Sequence, residues 1–159
     1  MISPRKRLVL FLILAALILS FIFYNSSRTG VQSDGASKGL MSAILAIIDP
    51  RGVLDTGIVH FIIRKAAHFT EFFTYGVCLC GAAIAFEDIR KTPCVSLTLL
   101  VALASAVCDE LIQEFTTARS ASPKDIVLDF FGALCGVLLT RLVTKAIRKR
   151  RAKKRKTSE

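Results

Sequence analysis

His68, Glu71, Asp109, Glu110, Asp125 and Asp129 lie inside, or at the ends of, apolar segments long enough to cross a membrane. A charged group in hydrocarbon is costly unless it is paired or faces a water-filled cavity, so residues placed this way are candidates for a working site. An imidazole among carboxylates suits general-base chemistry: His68 can take a proton, with Glu71 or Asp109 orienting it and Glu110 beside them. Arg119 can grip a phosphate with two parallel N–H donors, assisted by Lys65. Gln113, Asp125 and Asp129 complete the set as groups that contact a substrate. The same acids could instead hold Mg²⁺, Mn²⁺ or Ca²⁺, which prefer oxygen ligands. No spacing in the sequence fixes a metal, so the cofactor stays open.

Simpler roles compete for some of these residues. Asp125 follows Ser122-Pro123-Lys124 and could cap a helix. Arg64 and Lys65 could snorkel to the headgroups, and Glu114 and Lys124 could be merely solvated. Asp109 and Asp129 resist such readings best, because neither can easily reach water as a helix-end group.

The elements that must position these residues follow from the apolar blocks. Arg5-Lys6-Arg7 precedes an apolar run over residues 8–24. That run is long for a signal peptide, and Phe21 to Ser27 offers no small-residue cleavage site, so it reads as an uncleaved first transmembrane helix. Residues 25–38 read as loop. The apolar stretch 40–48 is too short to span and reads as an interfacial or re-entrant helix, ended by Asp49-Pro50-Arg51-Gly52. A second helix is expected over 58–86, a third over 95–115 and a fourth over 125–144, before a basic tail. The organisation is thus an N-terminal segment with the first span (1–24), a loop carrying a short helix (25–57), a three-helix core (58–144) and the tail (145–159). The fold class is all-α, a polytopic membrane bundle of four transmembrane helices plus the short one.

Lys/Arg counts orient the bundle. With the termini inside, fifteen lie on that side and seven on the other, which favours cytoplasmic termini in the cell membrane. Asp109 is then fourteen residues above Val95, or roughly 21 Å up a hydrocarbon core about 30 Å thick. His68, Glu71, Asp125 and Asp129 enter from the opposite end and reach the same outer third. Helical phase agrees. Arg64, His68, Glu71 and Tyr75 share one stripe, and Asp109 and Gln113 another, above Ala102, Ser105 and Ala106. Asp125, Asp129, Gly132 and Gly136 form a third, whose two glycines make a close-packing motif.

Composition narrows the rest. The chain has 159 residues and a net charge of +10, but ten Lys/Arg fall between Arg141 and Lys156. That local excess is a topology signal with a side affinity for anionic lipid, and it calls for no nucleic-acid partner. The five cysteines are odd in number and show no zinc-type pairing, so they read as small buried apolar groups.

The stretch Arg64-Lys65-Ala66-Ala67-His68-Phe69-Thr70-Glu71-Phe72-Phe73 resembles the K-x-x-H-x-x-E/Y-F segment of VanZ-like membrane proteins. Cys108-Asp109-Glu110-Leu111-Ile112-Gln113 resembles their D-E-x-x-Q segment. Arg119 to Ala133 resembles their R-x(5)-D-x(3)-D-x(2)-G-A segment, with Ala118 where a Gly before the Arg would be usual. The resemblance implies a cell-envelope protein. The founding member of that family is linked to low-level resistance to the glycopeptide teicoplanin, and the family is distantly similar to enzymes that exchange lipid headgroups.

Three functions compete. The first is an enzyme, a transferase or hydrolase, acting on a phospholipid or polyprenyl-linked cell-wall intermediate in the outer leaflet. The second is a non-catalytic protein that binds a headgroup, a cell-wall peptide or an antibiotic. The third is a small transporter, which four spans without broken helices fit poorly. Membrane lipids and a lipid-linked or cell-wall substrate are the expected partners, and the oligomeric state stays open.

Overall fold

Among the described residues four long helices are present, and the first two begin on caps that the sequence supplies. A computed structural model of the chain describes residues 2–28, 54–116 and 122–157, together with the isolated positions 39, 42, 43, 45 and 49. Helix α1 spans Pro4–Ser27, with Ser3 accepting from the Lys6 N–H and Pro4 in the first turn. Helix α2 spans Thr56–Arg90. Its N-cap Asp55 accepts from the N–H groups of Gly57 and Ile58, satisfying two donors that the first turn leaves open. It ends on Lys91, whose φ of 60° is the left-handed conformation of a helix stop. Helix α3 spans Val95–Glu114 and helix α4 spans Pro123–Thr157. Most of the short helix expected over residues 40–48, and Arg119, fall outside the described residues.

All four helices are long and apolar enough to cross a membrane, and the fold is a helical membrane bundle. Large apolar side chains such as Leu17, Phe21, Leu100 and Leu142 point outward, as a lipid-facing surface requires. Helix α2 is the centre, packing against α1, α3 and most extensively α4. Both ends of α1 run further than its apolar run, so Asn25 and Ser26 are helical rather than loop. Helix α2 likewise continues through Glu87 and Asp88, and α4 carries on into the basic tail.

The α2–α4 contact is backbone against backbone. A Cβ on Gly132 would sit 2.6 Å from the Phe69 carbonyl oxygen, and one on Gly136 would strike the Phe73 carbonyl oxygen. Gly76, on α2, meets the Ala133 backbone in the same way. Without an apolar driving force between helices in lipid, such close approach is how they hold together. Beside it lies a core of Ile22, Phe72, Tyr75, Ala102, Ala106 and Ala133. Within it the Tyr75 and Ser105 hydroxyls meet at 3.0 Å. All five cysteines are free; Cys78 and Cys80 are buried as expected, whereas Cys94 and Cys135 are half-buried and Cys108 is exposed.

At the end of the bundle that carries the termini, Asp88 pairs with Arg7 of α1 and Arg148 of α4, at 2.9 and 2.8 Å. Glu87 pairs with Arg141 at 2.6 Å and accepts from the Cys94 N–H. The polar residues that open the expected 87–93 connection thus clamp this end. The candidate site occupies the other.

Candidate functional site

Three helices bring His68, Asp109 and Asp129 to one point. One possible ligand atom from each lies within 4.8 Å of the other two. His68 enters from α2, Asp109 from α3 and Asp129 from α4. His68 Nδ1 is 3.8 Å from Asp129 Oδ1. Asp109 and Asp129 have no solvent exposure, while the His68 side chain keeps 18%. The imidazole therefore stands at the opening, and the two carboxyls form the floor.

The two carboxyls are treated differently by the fold. Asp109 Oδ1 accepts from the Ser26 hydroxyl at 2.6 Å, and its Oδ2 accepts from the Gln113 amide at 2.8 Å. Both neighbours are themselves buried. Neither oxygen of Asp129 has a hydrogen-bond partner among the described residues. Burying a carboxyl in that state is expensive. The surroundings add to the cost, since Asp109, Glu110, Asp125 and Glu71 all act on Asp129 through space.

The remaining expected site residues ring this centre. Glu110 is buried. Its Oε1 accepts from the Ser122 N–H at 2.8 Å, and its Oε2 has no hydrogen-bond partner among the described residues. Glu71 accepts from the Asn25 side chain at 2.9 Å. Lys65 reaches both oxygens of Asp125 at 2.5 Å, and its ammonium lies 5.3 Å from the centre of the Phe61 ring. Asp125 is thus in the first turn of α4 as the partner of Lys65, rather than its N-cap. Both side chains of that pair remain partly exposed, so the pair sits at the rim.

The structure brings His68, Asp109 and Asp129 together and places the other described candidates near them. The sequence suggests Glu71 or Asp109 as the group that orients His68; Asp109 does lie in the same close group, Asp129 stands 3.8 Å from the imidazole nitrogen, and Glu71 accepts from Asn25. Asn25 and Ser26, which α1 supplies, are not among the residues expected from the sequence. A signal for them existed: Asn25-Ser26-Ser27 follows the first apolar run at the depth assigned to His68 and Asp109. Extending the helix one turn would have put them beside the acids.

The arrangement can orient and polarise a polar group at a mouth lined by Lys65 and His68. The Phe69 ring lies 6.3 Å from Phe73 on α2 and 6.2 Å from Phe131 on α4. Neither a curated protein nor a solved structure matches the chain. The family model described as VanZ/LLP1 matches residues 11–144, from within α1 to the apolar part of α4 and across every residue of the centre, and the chain belongs to the VanZ/LLP1 family.

Proposed function

We propose that this membrane protein acts on the headgroup of a lipid-linked substrate, a phospholipid or a polyprenyl-linked cell-wall intermediate, as a transferase or hydrolase. The observation that carries the reading is the convergence of His68, Asp109 and Asp129 in a buried centre below a partly exposed lysine. A headgroup phosphate would compete with Asp125 for the Lys65 ammonium, while the centre activates the attacking hydroxyl. The cluster of Phe69, Phe73 and Phe131 on α2 and α4 would offer apolar surface to the lipid part of such a substrate. The distribution of Lys/Arg supports cytoplasmic termini and a site in the outer half of the cell membrane.

The test is a profile of lipids and cell-wall precursors from cells with and without the protein. We expect a headgroup species that changes with the wild-type chain and reverts with His68→Gln or Asp109→Asn at equal abundance. An unchanged profile overturns the reading. A change that survives both substitutions points instead to a protein that binds a headgroup or a glycopeptide without transforming it. The transporter reading gains no support, because the helices run unbroken where they pass the centre.

A further inference from the structure

We propose that His68, Asp109 and Asp129 form a three-ligand site for a divalent first-row transition cation, Zn²⁺ or Mn²⁺, with an open coordination position facing the mouth. Ligand atoms about 2.0–2.2 Å from a shared ion lie about 3–4.4 Å from one another. The three residues already bring one candidate atom each within 4.8 Å, and the His68–Asp129 pair stands at 3.8 Å.

Asp129 supplies an independent argument. It is fully buried, and neither of its oxygens accepts a hydrogen bond from a described residue. A carboxyl in that setting, with other carboxyls around it, can ionise only with a positive charge at short range. Lys65 is engaged at the rim with Asp125. A cation between His68, Asp109 and Asp129 answers both the charge and the unused lone pairs.

Asp109 looks like a ligand held from outside. Ser26 and Gln113 donate to its two oxygens. Those contacts fix the carboxyl plane, as the outer shell of a metal site does. The donor set then selects the ion. One nitrogen and two carboxylates disfavour Ca²⁺, which prefers a shell of oxygens, and lack the thiolates that softer ions want. Three protein ligands with a free position is the pattern of a reactive rather than a structural site.

The proposal deepens the headgroup reading and rests on it only for the ion's task, which is to polarise the attacking hydroxyl or a phosphoryl oxygen. Its test is separate. The full-length chain is purified in detergent, stripped with chelator, and titrated with Zn²⁺ or Mn²⁺. Bound metal is read by elemental analysis, Mn²⁺ by its paramagnetic resonance signal, and stability by thermal unfolding. We expect a stoichiometric ion that raises the melting temperature, lost in Asp129→Asn and in His68→Gln. Ser26→Ala removes only an orienting contact and is expected to weaken binding about 10–100-fold. Glu114→Gln, at an exposed acid of α3, serves as the control for ions held loosely at the surface and is expected to bind like wild type. Wild-type protein that folds but gains neither metal nor stability overturns the proposal, as does wild-type affinity in folded Asp129→Asn. A lipid profile that depends on His68 without any bound ion would also overturn it and leave the headgroup reading intact, with the imidazole moving the proton itself. An ion bound as expected, with no headgroup change in cells, would do the reverse.

Discussion

Ser26, in the last turn of α1, donates its hydroxyl to Asp109 of α3 at 2.6 Å in a fully enclosed setting. The first helix is therefore part of the site and not only a membrane anchor. It donates to two carboxyls, Ser26 to Asp109 and Asn25 to Glu71, and Gln113 holds the other Asp109 oxygen. Ser26→Ala is expected to cost about 1–3 kcal/mol, the range for taking one partner away from a buried polar group. The check is thermal unfolding in detergent, paired with the cellular lipid profile. Stability and profile both at wild-type level would show that Asp109 needs no support from α1.

Close packing of α2 on α4 is what brings His68 and Asp129 within reach of each other. At Gly136 an added Cβ meets the Phe73 carbonyl oxygen and the Val77 nitrogen, which are backbone and cannot swing aside. Gly136→Ala and Gly132→Leu are expected to lower the yield of folded protein sharply, since overpacking costs about 1–3 kcal/mol or more. Gly39→Ala is the comparison, because a Cβ there meets nothing within 4 Å. Yield and melting temperature decide. Equal values for all three variants would mean that the two helices do not approach as described.

Much of this was legible in the sequence, for a physical reason. Hydrocarbon punishes unpaired charge, so His68, Asp109, Glu110 and Asp129 stand out against their apolar neighbours without any structure. Depth follows from rise per residue, and face follows from helical phase. Gly132 and Gly136 below Asp129 also announce a close contact. What phase cannot give is the rotation of one helix against another. The sequence therefore could not say that Asp129, rather than Glu71, faces the His68 imidazole. Nor could it set Lys65 against Asp125, since both lie where a headgroup anchor or a helix cap would be equally natural. Asn25 and Ser26 were hidden for another reason. Small polar residues after an apolar run look like the start of a loop until the helix is seen to continue through them.

The orientation of the bundle has its own test. Helix order alone places the termini at one end and the loop before α4 at the other. The Lys/Arg bias then assigns the loop to the outside. Ser120→Cys is expected to react with a membrane-impermeant thiol reagent on intact cells, whereas Ser158→Cys is expected to react only after lysis. The unaltered chain is the blank for its own cysteines. The opposite pattern would put the centre in the inner half of the membrane and move its substrate to the cytoplasmic leaflet.

Lys65 and Asp125 allow structure to be separated from function at the rim. Their ion pair joins α2 to α4, and both side chains keep about a quarter of their exposure, 29% and 24%. Such partly solvated pairs contribute up to about 1 kcal/mol. Lys65→Asp alone sets two carboxylates against each other and is expected to reduce the folded amount. Adding Asp125→Lys restores the pair with its charges exchanged, and abundance and melting temperature are expected to recover. The lipid profile is not. A phosphate drawn to the ammonium on α2 would find it moved to α4, on the other side of the mouth from His68. Recovery of the profile together with stability would show that Lys65 serves only to join the helices, and would remove it from the set of residues that contact the headgroup.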